Sequence, residues 1–278
     1  SYEELVQPLP ALHPKSIYYK TLKGLLRTVG QLSDGIRLGL QYGFDSGVML
    51  EYIYQNKTSG RGWLGRAIDR AYLDAPGWKG IRERAEILKD VLRKTIHENS
   101  QRGVSTSLLD VASGGGRYVL EVFQEFRSDT VSAVLRDYKE ENVQKALTLA
   151  RGLGVSASIE CGDAFSDSDL DSVNPRPNVI VVSGLHEILP DNDLIRTHFG
   201  QLNRILQAPG TLIFTIQPYH PQIESIARVL TSHSGGPWVM RLRPFDLTRQ
   251  WAEDAGFRCI QVQMDSQDIF GVVKARKF

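Results

Sequence analysis

The sequence predicts an α/β protein with a doubly wound, mostly parallel seven-stranded sheet, an antiparallel last strand and an N-terminal helical extension. From residue 107 onward, short apolar runs alternate with amphipathic segments of helical length, as in parallel sheets with crossover helices. The fourth run, 178–183, is apolar almost throughout, which is typical of a central parallel strand. The last two runs are separated only by the polar residues 265–267, so a hairpin should reverse the final strand.

The first 102 residues are predicted to form the helical extension, and residues 103–278 the core domain. Three prolines before residue 15 favour an extended start, and a basic amphipathic run follows from Tyr18 to Val29. Helices are predicted to follow up to Tyr54 and near 63–73 and 77–99, where apolar residues recur with helical spacing. This segment is dense in glycine, aromatic and arginine residues. We therefore expect it to act as a lid on the carboxyl edge of the sheet.

The core should contain seven strands and five helices in regular alternation. The strands are predicted near 107–111, 131–135, 156–160, 178–183, 211–217, 258–264 and 268–275. The helices are predicted near 117–127, 140–153, 191–207, 220–231 and 244–255.

A glycine-rich turn follows the first strand and is the clearest functional signal. The strand ends in Asp110, the turn contains Gly114, Gly115 and Gly116, and a helix follows. Such a strand–turn–helix is typical of nucleotide-cofactor sites, since glycines let the backbone approach a ligand closely. Asp137 lies 21 positions after Gly116, at the end of the second strand, where an acid can hold ribose hydroxyls.

Two cofactor classes compete for this turn. A dinucleotide fingerprint, Gly-x-Gly-x-x-Gly, needs a third glycine where this chain has Val119. The pattern Asp-x-(Gly/Ala)-x-Gly-x-Gly instead resembles motif I of the class I S-adenosylmethionine-dependent methyltransferases. A Gly-Asp-Ala sequence at 162–164 and a Pro-Gly passage into the fifth strand extend this resemblance over residues 107–278.

The resemblance implies a Rossmann-like methyltransferase fold with S-adenosyl-L-methionine as cofactor. It implies that the glycine turn lies beneath the methionine moiety, that Asp137 binds the ribose, and that Asp163 with the next amide contacts adenine. The residues expected against the cofactor or supporting it are Asp110, Ala112, Ser113, Gly114, Gly116, Tyr118, Asp137, Tyr138, Asp163, Ala164, Ser183 and Gly184. A structural alternative for Asp163 is a simple turn or helix cap.

Segments 34–47, 78–82 and 183–187 resemble a poorly characterised group of bacterial methyltransferases. In several of these the unit follows an α/β-hydrolase domain similar to lysophospholipases. The resemblance implies a small-molecule or lipid-derived acceptor and an association with a hydrolase. It does not identify the acceptor atom.

Catalysis in this fold would use groups at the ends of the fourth and fifth strands, where His186, Glu187, Tyr219 and His220 lie. An imidazole titrates near neutral pH and can accept the acceptor's proton. We therefore expect Leu185 and Ile188 to anchor this turn in the core, so that His186 and Glu187 face the crevice. Structural hydrogen bonding is the alternative for both histidines. The residues expected to bind an anionic or aromatic part of the substrate are Arg37, Tyr42, Arg82, His233 and Arg241.

Composition bears on the possible partners and on the class of function. The net charge of +1 gives no case for nucleic-acid binding, but residues 1–102 hold 16 Lys/Arg against 11 Asp/Glu. This basic half is compatible with an anionic substrate or with peripheral contact with a lipid surface. Metal-ligand spacing and a membrane-spanning run are absent, and two unpaired cysteines suggest buried thiols in the cytoplasm. A nicotinamide-dependent oxidoreductase and a non-catalytic S-adenosylmethionine-binding module remain open as functions.

Overall fold

The computed structural model describes residues 1–278, which form two compact units. The helical unit consists of residues 1–82 and 220–242, and the sheet unit consists of residues 83–219 and 243–278. The boundary predicted at residue 102 is therefore not the one that the structure shows. The last helix before the sheet belongs mainly to the sheet unit, because Leu88, Leu92 and Ile96 are buried in its core.

Twelve α-helices and one short 3₁₀ helix make up the helical elements. In chain order they are α1 (Tyr2–Val6), α2 (Pro14–Arg27), the 3₁₀ helix (Val29–Leu32), α3 (Asp34–Tyr42), α4 (Gly47–Gln55), α5 (Gly62–Leu73), α6 (Pro76–Gln101), α7 (Arg117–Phe123), α8 (Glu140–Leu153), α9 (Asp167–Asp171), α10 (Asn192–Ile205), α11 (Ile223–Val229) and α12 (Phe245–Asp254). None of the helices is long and apolar enough to cross a membrane.

The start of the chain contains the helices α1 and α2, so the predicted extended start was wrong, and most of the basic amphipathic run from Tyr18 to Val29 lies in α2. Pro14 occupies the first turn of α2, and His13 caps the helix by accepting a hydrogen bond from the Lys15 amide at 3.1 Å. Proline fits a helix at this position because its missing N–H would have had no intrahelical partner. Pro14 thus marks a helix start, whereas Pro8 and Pro10 lie between α1 and α2.

A buried carboxylate organises the helical unit. Asp69 of α5 is fully buried and accepts four hydrogen bonds. The donors are the hydroxyls of Ser33 and Tyr52, each at 2.6 Å, and the amides of Gly35 and Ser59, each at 2.9 Å. These bonds tie α3, α4 and the loop before α5 to one point, and each satisfies a polar group that burial would otherwise destabilise.

Seven strands form one sheet in the order β3-β2-β1-β4-β5-β7-β6. The strands are β1 (Thr106–Val111), β2 (Val131–Asp137), β3 (Ser158–Cys161), β4 (Val179–Val182), β5 (Gly210–Ile216), β6 (Arg258–Met264) and β7 (Gly271–Lys277). The first five strands pair in parallel, whereas β7 runs antiparallel to both β5 and β6. The predicted seven-stranded sheet and its antiparallel last strand are confirmed.

Both faces of the sheet are covered by helices. Leu109 belongs to one core with Phe199 of α10, and its neighbour Leu108 belongs to the other core with Leu92 of α6. Successive residues of a strand point to opposite faces, so β1 contributes to both cores. The fold is therefore doubly wound, as predicted.

The two cysteines are exposed, so the expectation of buried thiols was wrong. Cys161 lies at the end of β3 and Cys259 in β6, which are the two edge strands of the sheet. An edge strand has no neighbour on one side, and a strand pattern alone does not show which strands become edges.

Candidate functional site

The turn between β1 and α7 follows directly from its sequence. Ala112, Gly114 and Gly116 have φ angles of 56°, 57° and 63°, in the left-handed region. The Ser113 amide donates to the Arg136 carbonyl of β2 at 2.8 Å, and the Gly116 amide donates to the Ser113 carbonyl at 2.9 Å. The turn is thus tightly folded and anchored to the neighbouring strand.

The three glycines serve two different purposes. A Cβ added to Gly116 would lie 2.3 Å from Cδ2 of the buried Leu135, whereas one added to Gly114 or Gly115 would meet no atom within 4 Å. Gly116 is therefore required by packing between the turn and β2. Gly114 and Gly115 border open space, which leaves room for a ligand to approach the backbone.

Asp137, the last residue of β2, holds this turn in place. Its side chain is buried and accepts hydrogen bonds from the Gly114 amide at 2.9 Å, the Lys139 amide at 2.9 Å and the Asn142 side-chain amide at 3.0 Å. Each carboxylate oxygen offers about two acceptor positions. Oδ2, which receives only the Gly114 bond, has capacity left for a ligand hydroxyl. Tyr138, the next residue, is exposed.

Asp110 lies beneath the turn at the end of β1 and is fully buried. Its Oδ1 accepts a hydrogen bond from the Tyr118 hydroxyl at 2.6 Å, while Oδ2 has no partner. Burial raises the pKa of Asp110 to about 8; the Tyr118 bond opposes this rise and the nearby charge of Asp137 adds to it. The side chain is consequently mostly protonated at neutral pH, and it retains unused hydrogen-bonding capacity beside the turn.

Asp163 and Ala164 follow β3, as predicted. The Asp163 side chain is exposed and accepts a hydrogen bond from the Phe165 amide at 2.9 Å, while its own amide donates to Asp169 at 2.7 Å. Ala164 is half-buried. The geometry of Asp163 is that of a turn cap, which leaves its second carboxylate oxygen exposed.

Ser183 and Gly184 follow β4 at the same edge of the sheet. Gly184 has a φ of 74°, and its amide donates to the Thr215 hydroxyl of β5 at 2.8 Å. The chain turns sharply here, directly beside the ends of β1 and β5.

His186 does not face the crevice. It is buried, its Nε2 lies 2.9 Å from Nδ1 of His198, and its ring contacts Phe199 and Phe214. Burial, followed by the proximity of His198 and Arg243, holds the pKa of His186 well below its usual value. Both imidazoles are therefore neutral near pH 7, and one donates to the other.

The predicted orientation of this loop was wrong. His186 and Glu187 are buried, whereas Ile188, expected to anchor the loop, is 55% exposed. The cause is Arg243, a residue distant in sequence, which donates to the carbonyls of His186 and Leu189 at 2.7 and 2.6 Å. These bonds fix the loop with its polar side chains inward.

Glu187 forms a buried pair with Arg84 of α6. The Arg84 guanidinium lies 3.5 Å from Oε1 of Glu187 and sits over the Phe270 ring at 4.9 Å from its centroid. Only 6% of the Glu187 side chain is exposed, and its Oε2 has no hydrogen-bond partner. A buried carboxylate oxygen without a hydrogen bond is costly, so Oε2 of Glu187 is an unsatisfied acceptor in the loop after β4.

Arg84 was not among the predicted site residues, although the sequence held a signal for it. Arg84 falls between Ile81 and Leu88 at intervals of three and four residues, on the apolar face of α6. A cation on such a face predicts a buried partner. The identity of that partner could not be read from the sequence.

Tyr219 and His220, the third and fourth residues after β5, have different surroundings. Tyr219 is 53% exposed, whereas His220 is buried and its Nδ1 accepts a hydrogen bond from the Gln222 amide at 3.1 Å. A Cβ on Gly77 would lie 2.5 Å from Nε2 of His220. His220 is therefore packed within the helical unit and has the structural role that was the alternative.

The five expected substrate-binding residues all belong to the helical unit, although residues 83–219 separate the two segments that supply them. Arg37 pairs with Asp34 at 2.9 Å, and Arg82 donates to the Leu73 carbonyl at 2.9 Å.

His233 and Arg241 also have partners within the helical unit. His233 pairs with Asp45 at 3.1 Å, and Arg241 lies 3.5 Å from Glu3. Tyr42 is 46% exposed. The three arginines and His233 already have protein partners, so a substrate would have to compete with these bonds.

Comparison with known proteins relates this chain to methyltransferases. A family model described as "Putative methyltransferase" matches residues 1–277. The uncharacterized protein YnbC of Escherichia coli is 38% identical over 273 residues, which cover 96% of this chain and 46% of YnbC. The chain therefore spans about half the length of that curated relative.

Solved structures share the fold. A "possible exported protein" of Bordetella parapertussis has a TM-score of 0.63 and 18% identity, covering 96% of this chain and 99% of that one. The magnesium protoporphyrin IX methyltransferase of Synechocystis, solved with bound SAH, has a TM-score of 0.59 and 11% identity, covering 86% of this chain and 98% of that one. At these identities the likeness concerns the fold alone.

Proposed function

This chain belongs to that methyltransferase family, and on this premise we propose that it binds S-adenosyl-L-methionine and transfers its methyl group to a small-molecule or lipid-derived acceptor. The observation that carries the proposal is the turn after β1. Gly114 and Gly115 border open space there, between two buried acids that each keep an oxygen with unused bonding capacity. When bound, the cofactor supplies a methyl group activated on a sulfonium.

The residues around the turn fit this cofactor. Asp137 holds the Gly114 amide and offers its remaining acceptor position to a ribose hydroxyl. Asp110, mostly protonated at neutral pH, supports the turn from below through Tyr118. Ala112 and Ser113 shape the turn, since a left-handed φ at Ala112 starts the reversal of the chain.

We assign adenine binding to residues after β2 and β3, and one edge of the acceptor site to residues after β4. Asp163 presents an exposed carboxylate oxygen and Ala164 a half-buried backbone after β3, while the Tyr138 ring is exposed after β2. Ser183 and Gly184 follow β4, beside β1 in the sheet. In doubly wound sheets ligands bind at this carboxyl edge, which supports placing cofactor and acceptor there.

Glu187 is the better candidate for removing a proton from the acceptor. His186 is buried against His198 and its burial disfavours the protonated form. Glu187 has an unpartnered oxygen, and Arg84 restrains its carboxylate. We assign to Glu187 the binding and deprotonation of an O–H or N–H group, and to the exposed Tyr219 a contact that orients the acceptor. Alignment of acceptor and methyl group contributes the remainder of the rate enhancement.

The test combines calorimetry with a labelling assay. S-adenosyl-L-methionine should bind the purified chain, and NADH should not. Incubation with methyl-labelled cofactor and a lipid extract should transfer label to the extract, and Glu187→Gln should lower that transfer about 10²-fold or more while leaving cofactor affinity unchanged.

Three outcomes would count against the proposal. Binding of NADH alone would favour the oxidoreductase. Cofactor binding without transfer of label to any extract would favour a non-catalytic module. A Glu187→Gln variant with full turnover would remove Glu187 from the mechanism, and alignment alone would then be the better account.

A further inference from the structure

Helix α2 has one face packed against its own unit and one face open. Ser16 is buried, and the helix contacts the 3₁₀ helix and α11. On the other side, Ile17, Tyr18 and Leu25 are 57%, 60% and 53% exposed. Burial of one side therefore leaves a second, apolar side in solvent.

These three side chains form a stripe rather than a scatter. Leu25 follows Tyr18 by seven residues and Ile17 by eight, which are the intervals that place residues on one face of an α-helix. Two further apolar residues, Leu12 before the helix and Val29 after it, are 91% and 48% exposed. The exposed Thr21 lies between Tyr18 and Leu25 on this face. Single exposed apolar residues are ordinary, but several that share one helix face indicate a binding surface.

Basic side chains border this stripe. Helix α2 contains Lys15, Lys20, Lys23 and Arg27 and no acidic residue. At 100° per residue, Lys20 and Arg27 fall on one flank of the stripe and Lys15 on the other. Lys15 pairs with Glu224 at 2.9 Å, whereas Lys20 and Arg27 are exposed and form no ion pair. The flank with Lys20 and Arg27 therefore carries uncompensated positive charge.

We propose that α2 is a docking surface for an anionic lipid bilayer. The helix lies in the plane of the membrane, the stripe of Ile17, Tyr18 and Leu25 enters the boundary between headgroups and acyl chains, and Lys20 and Arg27 contact lipid phosphates. An apolar face with flanking cations is the pattern of helices that lie on membranes. The positive flank selects anionic over zwitterionic lipid. A soluble polyanion could bind the positive flank alone, so the apolar stripe favours a membrane as the partner.

The proposal is tested by cosedimentation with vesicles, which does not depend on methyl transfer. The chain should bind vesicles of phosphatidylglycerol and phosphatidylcholine in equal parts, and bind vesicles of phosphatidylcholine alone much more weakly. Ile17→Ser/Leu25→Ser should lower the partition coefficient about tenfold or more. Lys20→Gln/Arg27→Gln should lower it about fivefold per charge on the anionic vesicles only.

Matched variants in the sheet unit control for general loss of apolar or basic surface. Val104→Ser/Phe278→Ser removes two exposed apolar side chains, and Lys145→Gln/Arg151→Gln removes two exposed cations of α8. Both should bind like the unmodified chain. All variants should retain the urea midpoint of the unmodified chain, because each altered side chain is exposed.

The inference is overturned if the chain fails to bind anionic vesicles, or if the control variants weaken binding as much as the α2 variants do. It is also overturned if size-exclusion chromatography shows an oligomer that Ile17→Ser/Leu25→Ser dissociates, since a second copy of the chain would then cover the stripe. The cofactor titration is independent of these results, so this inference and the proposed function can fail separately.

Discussion

Replacing Gly116 with alanine should destabilise the sheet unit. An alanine at this position would have to keep the left-handed φ of 63°, and its Cβ would lie 2.3 Å from Cδ2 of Leu135. The backbone strain costs about 1–2 kcal/mol. Because Leu135 is fully buried, making room for the methyl group adds about 1–3 kcal/mol. The smaller conformational entropy of the unfolded chain returns about 0.4–1 kcal/mol, so the net loss should be about 1–5 kcal/mol.

The two neighbouring glycines provide matched controls. Gly114→Ala has the same strain, with a φ of 57°, but its Cβ meets no atom, so the loss should be about 1 kcal/mol. Gly115→Ala has neither a left-handed φ nor a contact, and its stability should stay within about 0.5 kcal/mol of the unmodified chain. The expected order of stability is therefore Gly115→Ala, then Gly114→Ala, then Gly116→Ala.

Urea denaturation followed by circular dichroism measures this order, and calorimetric titration with S-adenosyl-L-methionine adds a second readout. Gly115→Ala should fold normally yet bind the cofactor more weakly, because its methyl group occupies the space above the turn. A Gly116→Ala variant as stable as the unmodified chain would refute the packing argument. A Gly115→Ala variant with unchanged affinity would show that the cofactor does not lie over this turn.

Two more predictions follow from buried acids and histidines. Asp137→Ala should lose about 1.5–3 kcal/mol of cofactor binding, the scale of hydrogen bonds to a charged group; calorimetry checks this, and unchanged affinity would remove Asp137 from the site. Burial lowers the pKa of His198 to about 4 and that of His186 well below 6.5. The unfolded chain therefore binds these protons first as the pH falls below about 6.5, and stability should drop by about 1.4 kcal/mol per pH unit for each histidine until its folded pKa is reached. Urea midpoints between pH 7 and pH 5 should fall less steeply in His198→Gln than in the unmodified chain, and equal slopes would contradict this reasoning.

Much of the fold could be predicted because its signals are local. The uninterrupted apolar run in β4 and the alternation of strands and helices depend only on neighbouring residues, and the predicted strand limits differ from the observed ones by three residues or fewer. The glycine turn was also recognisable, since left-handed φ angles at Gly114 and Gly116 restrict which residues can occupy those positions.

Other features could not be predicted because they depend on residues distant in sequence. The loop after β4 keeps His186 and Glu187 inside because Arg243 and Arg84 reach it from other elements. A pattern of apolar and polar residues in a short loop does not show which side will find partners. The same limit explains why His220, at a strand end, packs beside Gly77 instead of joining the sheet edge.

The sequence by itself determined the doubly wound sheet, its antiparallel last strand and the turn that favours a nucleotide cofactor, because strand alternation, helical periodicity and glycine conformation act over a few residues. Only the tertiary structure decided that residues 220–242 join the N-terminal helices, that a side chain on Gly116 would meet Leu135, and that Glu187 keeps an unpartnered oxygen. The physical reason is that burial and hydrogen-bond satisfaction are properties of the packed chain. The residues that surround a side chain come from segments distant in sequence. Those residues decide whether the side chain is charged and whether it has a free hydrogen-bonding position.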